Sequence, residues 1–116
     1  MSKKQTELKP LFMTLQREPF KQILNGTKRE EYREIKEYWR KKLEGREYKS
    51  IIFQNGYAPN SPRIEIEYKG FYIKTFAPEF FNGKKQKYFA LILGKILNTK
   101  NLKPWKKHTY LKRTAK

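Results

Sequence analysis

At 116 residues, with 37% hydrophobic and 16% aromatic content, the chain holds enough apolar material for one core, so a single domain is expected over 1–116. Zero cysteines exclude disulfides, thiolate zinc sites and a cysteine nucleophile, and the lone histidine, His108, excludes a multi-histidine metal cage. Lysine and arginine number 28 against 11 acids, all of them glutamate, and the net charge of +17 makes polyanions, nucleic acid above all, the expected partner class.

Residues 1–9 are polar and lysine-rich, and a loose lead-in is expected there. They lack the apolar stretch of a secretory signal. The longest apolar run, Phe89 to Leu93, falls far short of the roughly 20 residues that span a bilayer, so a cytoplasmic, non-membrane protein is expected. Leu11, Met13 and Leu15 alternate with Phe12, Thr14 and Gln16, which predicts a first strand with one buried face. A short helix follows over Glu18 to Leu24. Pro19 suits its first turn, Phe20, Ile23 and Leu24 share a face, and Asn25-Gly26 supplies a left-handed stop.

Lys28 to Arg33 then reads as a turn passing into a strand. A second helix is predicted from about Glu34 to Leu43, with Ile35, Tyr38, Trp39 and Leu43 inward and Gly45 at its end. Lys49 to Gln54 carries Ile51-Ile52-Phe53 and predicts a central strand, closed by the turn dipeptide Asn55-Gly56. Pro59 and Pro62 make the next stretch a loop. Arg63 to Thr75 alternates as a strand, with Gly70 marking a bulge. A loop spans about Ala77 to Lys87, Tyr88 to Leu97 reads as a late strand buried on both faces, and 98–116 reads as a basic C-terminal tail without acids. Together these predict an α+β domain: a small, barrel-like mixed or antiparallel sheet of about five strands with two flanking N-terminal helices.

The segment Ile23 to Arg33, ILNGTKREEYR, turns abruptly from apolar to polar at a helix end. Strand parity places Glu31 and Arg33 on one face and Glu30 and Tyr32 on the other, while Lys28 sits in the turn released by Gly26. A lysine, a glutamate and an arginine can therefore converge. Lys28 and Arg33 suit holding a phosphate or carbonyl oxygen, with Glu31 fixing the planar arginine fork. Equally, Glu31 suits a base acting on water, with Lys28 stabilising an oxyanion. A plain solvated edge strand carries the same residues.

The pattern Gly26-x-Lys28-x-x-Glu31-x-Arg33, behind a short apolar helix and a leading strand, resembles the GxKxxExR signature of the ASCH domain family, a branch of the PUA-like superfamily; the order of elements agrees along roughly residues 11 to 97. The resemblance implies a small β-barrel with a cleft beside the motif and a role in binding RNA or other nucleic acid, without a cofactor. Some members of that family deacylate N4-acetylcytidine with the motif lysine, a threonine three residues later and a distant glutamate. Here Lys28 matches, but Glu31 stands at the threonine's position and Thr27 is adjacent to the lysine instead.

Two further surfaces carry recognition chemistry beside a plainer reading. Asn55 and Tyr57, in the loop after the third strand, offer an amide for base edges and a ring for stacking, although a turn with self-satisfied Asn side chains reads the same. Trp105, Lys106 and Lys107, in the tail, suit phosphate contacts with a stacking platform, and Trp105 equally suits packing back on the barrel. His108, set among cations without a partnered serine or aspartate, reads as a surface residue. The sequence thus favours a nucleic-acid-binding module, with a small amidohydrolase on acylated nucleosides second and a protein-interaction accessory domain third.

Overall fold

The computed structural model describes residues 8–78 and 82–103. Its elements follow in the order β1 (Leu11–Thr14), α1 (Arg17–Leu24), β2 (Glu30–Glu34), α2 (Glu37–Leu43), β3 (Ser50–Gln54), β4 (Arg63–Phe76) and β5 (Gln86–Lys100). The strands form one mixed sheet in the order β1-β3-β4-β5-β2, with β1 parallel to β3 and the other pairs antiparallel. The sheet curls into half a barrel. Its two edge strands approach each other closely enough for Arg33 of β2 to donate from Nη2 to the Thr14 carbonyl at the end of β1, 3.2 Å away. The predicted α+β architecture of five strands and two early helices is the observed one.

Local sequence explains the elements that position the site. On β1, Leu11 and Met13 face the core with Leu15 just beyond, while Phe12 points out. Helix α1 buries Phe20, Ile23 and Leu24, and Pro19 occupies its third position, where a missing N–H breaks no helical hydrogen bond. An eight-residue helix is too short to be stable alone, so this burial, about 2 kcal/mol for each large side chain, holds it in place. The core joins these residues to Ile51 and Phe53 of β3, Ile64 and Ile66 of β4, and Phe89, Leu91 and Leu93 of β5. Three register irregularities interrupt the β4–β5 pairing, the last between Tyr68 and Phe71 around Gly70, whose φ of +93° suits glycine.

Several expectations require correction. The second helix begins at Glu37 and not Glu34, because Glu34 still pairs with Tyr88 and the ladder continues through the predicted helix start. Tyr38 is 61% exposed and lies outside the core. On a seven-residue helix only the Trp39 and Leu43 side faces inward, and Tyr38 contacts the Trp39 ring edge-on at 4.9 Å. β5 is buried on both faces only over its first half. Tyr88 to Leu91 are fully buried, their outer side covered by Phe76 and Tyr32, whereas Ile96 and Leu97 are exposed. The tail also starts later than expected, since Asn98, Thr99 and Lys100 pair with Glu65, Ile64 and Arg63.

Candidate functional site

The turn between α1 and β2 is built by its own polar groups. Asn25 is buried, and its Oδ1 accepts from the Thr27 amide at 3.0 Å and the Thr27 hydroxyl at 2.7 Å. The amides of Thr27 and Lys28 both donate to the Gln22 carbonyl, at 3.0 and 3.1 Å. Gly26, at φ +85°, turns the chain where a side chain would be strained. Leu93 N then donates to the Arg29 carbonyl at 3.1 Å, which ties the turn to β5. The Lys28 backbone is thus fixed from both sides.

On β2, Glu31 lies opposite Leu91 and Arg33 opposite Phe89, so both point to the core side of the sheet, as alternation predicts. Glu31 is buried, with 6% of its side chain exposed; its Oε1 pairs with Lys28 Nζ at 3.3 Å and its Oε2 with Arg33 Nη1. Removing a carboxylate from water is costly unless it is paired, and here two cations flank it. Arg33 also donates from Nη1 to its neighbour's carbonyl, Tyr32 O, at 3.1 Å and from Nη2 to Thr14 O, and its guanidinium lies over the Trp39 ring at 5.2 Å. Lys28 Nζ stands over the Tyr32 ring at 4.9 Å. The lysine, the glutamate and the arginine therefore converge into one cluster.

The cluster forms one wall of a half-open pocket of about 540 Å³ between the two sheet edges, completed by Thr14, Leu15 and Gln16 from β1 and its exit, by Glu18, Pro19 and Gln22 from α1, and by Tyr32 of β2 at its margin. This size falls within the range of small-molecule sites and accommodates a nucleoside. Chemically it offers a fixed acceptor, Glu31, beside cationic donors, with apolar surface from Leu15 and Pro19. Such a set suits a small polar ligand that carries both donors and acceptors. Among the described residues no three side chains of metal-ligating type cluster together.

The opposite face of β2 carries a second polar assembly. Glu30 accepts from Tyr32 OH at 2.6 Å and Tyr72 OH at 2.7 Å, and Lys74 Nζ lies 3.5 Å away. Burial pushes the Glu30 carboxyl up, but the two phenols and Lys74 together outweigh it and hold the group below its ordinary value. Tyr32 is pushed well up, first by burial and then by its bond to Glu30; Tyr72 is raised first by that same carboxylate.

The other predicted residues do not join the pocket. Asn55 donates from Nδ2 to the Leu15 carbonyl at 2.9 Å, so its amide clamps the loop to β1, and it lies outside the pocket lining. Tyr57 is 88% exposed and lies apart from the pocket lining. Thr27, the hydroxyl nearest to Lys28 in sequence, is engaged by Asn25 and lies outside that lining. Trp105, Lys106, Lys107 and His108 lie outside the described residues. Sequence reasoning missed the Thr14 carbonyl, Trp39 beneath Arg33, and the Pro19 and Gln22 wall. Only Trp39 had a signal, its place on the inner side of α2 facing the strand that carries the motif. No family model, no curated protein and no solved structure matches the chain.

Proposed function

We propose that the protein is an ASCH-like nucleic-acid-binding module that captures RNA by holding one unpaired nucleotide in the pocket beside Lys28, Glu31 and Arg33. The observation that carries this reading is the buried Glu31 carboxylate clamped by Lys28 and Arg33 on the wall of a nucleoside-sized recess. Each Glu31 oxygen already has a cationic partner, so the carboxylate is held at fixed geometry, and its remaining lone pairs, with the donors of Lys28 and Arg33, are what the pocket offers to a base edge. The net charge of +17 supplies long-range attraction to the phosphates around that nucleotide.

Titration of a labelled single-stranded RNA at several salt concentrations tests it. Affinity is expected to fall steeply with salt, and Lys28→Ala and Arg33→Ala are each expected to weaken binding at fixed salt by about 1 kcal/mol or more. Wild-type affinity in the double variant would exclude this pocket. A hydrolytic reading, in which Glu31 assists water beside Lys28 at 3.3 Å, has its own assay. Release of cytidine from N4-acetylcytidine above a Lys28→Ala control would support it, and its absence would dismiss it.

A further inference from the structure

A second hollow of about 590 Å³ lies across Lys28 from the nucleotide pocket, between the Asn25 to Arg29 turn and the irregular stretch of the β4–β5 pair. Lys28 lines both spaces, so the two adjoin at that residue. The trough lies where the strands leave regular register, between Ile66 and Tyr68 and again before Phe71, and Gly94 on β5 leaves room there for the Glu67 and Lys69 side chains to cross. Its floor is apolar, made by Ile66, Leu93 and Ile96, and its rim carries Arg29, Lys69 and Lys95, all exposed. Among the described residues none of these three cations pairs with a carboxylate, whereas two of the three on α2 do: Lys41 with Glu37 and Arg40 with Glu44. Glu67, the acid of the trough, accepts from the Lys95 backbone amide at 2.8 Å and lies across Gly94, where a Cβ would overlap its carboxylate. That carboxylate therefore supports the bulged backbone, and the rim keeps a surplus of positive charge.

We infer that this trough is the continuation of the binding site: a single strand whose unpaired base enters the Glu31 pocket runs across Lys28 into the trough, with its backbone phosphates against Arg29, Lys69 and Lys95. The inference rests on the nucleotide-binding reading and extends it to the form of the ligand, a single-stranded polynucleotide longer than one residue. The base in the pocket must be unstacked to reach Glu31, and a strand is splayed in this way far more cheaply when it is not in a duplex. The apolar floor suits sugar and base faces, and the unpaired rim cations suit phosphates.

Binding is measured for a mononucleotide and for RNA and DNA single strands of increasing length, with a duplex of the same sequence. Two proteins are compared with wild type: a rim variant, R29A with K69A and K95A, and an equal-charge control, K41A with K49A and K100A. Affinity is expected to rise with the first few nucleotides and then level off. The rim variant is expected to lose about tenfold or more on the longer strands and about 2 in salt slope, at ~0.7 per phosphate contact, while keeping wild-type mononucleotide affinity. Relative affinity for the RNA and DNA strands identifies which polymer the track takes. A rim variant indistinguishable from wild type or from the control, or a duplex bound as tightly as the single strand, would overturn the track and leave the pocket standing. Failure of every nucleotide and strand to bind would instead remove the pocket reading itself, and the track with it.

Discussion

Two adjacent glutamates on β2 meet opposite fates. Glu31 faces inward, 6% exposed, and is matched by two cations; Glu30 faces outward, a quarter exposed, and is matched by two phenols and one lysine. The strand is the same and the chemistry of the side chain is the same. What differs is the concavity of the face: the inner side of a curled sheet encloses a recess, while the outer side spreads a hydrogen-bonded carboxylate over the surface. A polar cluster becomes a candidate site when the fold gives it a hollow: Glu31 lines the 540 Å³ pocket directly, whereas the Glu30 assembly reaches that pocket only through Tyr32.

The largest difference is expected on removing the inner charge. Glu31→Gln leaves Lys28 and Arg33 adjacent, largely buried and without a counter-ion, and should lower unfolding free energy by about 3 kcal/mol in urea denaturation. A loss equal to that of the outer glutamate would end the distinction between the two faces. Next, Arg33→Lys should destabilise by about 1–2 kcal/mol, because an ammonium cannot at once reach Glu31, Tyr32 O and Thr14 O as the planar fork does. Differential scanning calorimetry reads this as a lower midpoint, and rescue by lysine would show that charge alone suffices.

Glu30→Gln is expected to cost about 1 kcal/mol at neutral pH, from weakened hydrogen bonds to Tyr32 and Tyr72. Its pH dependence has a definite sign. The folded carboxyl is depressed, so its contribution is present above the unfolded value, near 4.3, and is lost as pH falls through the lower folded value. Wild type and Glu30→Gln should therefore converge in stability in acid, and a gap that widened there would contradict the assignment. The smallest effect belongs to Tyr72→Phe, which removes one partly exposed phenol and should shift the midpoint less than Glu30→Gln does.

Much of this arrangement is legible in the residues themselves. Period-two alternation alone puts Glu31 with Arg33 and Glu30 with Tyr32, and Asn25-Gly26 announces the turn that frees Lys28. Tyr38 reads as inward in the sequence because two inward positions, Ile35 and Trp39, bracket it. A helical face counted from Glu34 starts inside β2, and the helix has fewer than two turns over which a face could be averaged. The bond from Asn55 to the Leu15 carbonyl is not legible in the sequence, because the two residues are 40 positions apart and adjacent only in the fold.

By itself the sequence determined the order of elements, the polar turn after the first helix and which side chains of β2 share a face, since each follows from local dihedral preferences and strand parity acting over a few residues. Only the tertiary structure decided that this face is concave and that Arg33 reaches the Thr14 carbonyl, 19 residues upstream, over the Trp39 ring. Curling the sheet brings β1 and β2 together although they occupy its opposite ends, and that closure depends on the packing of the whole core and not on any short segment.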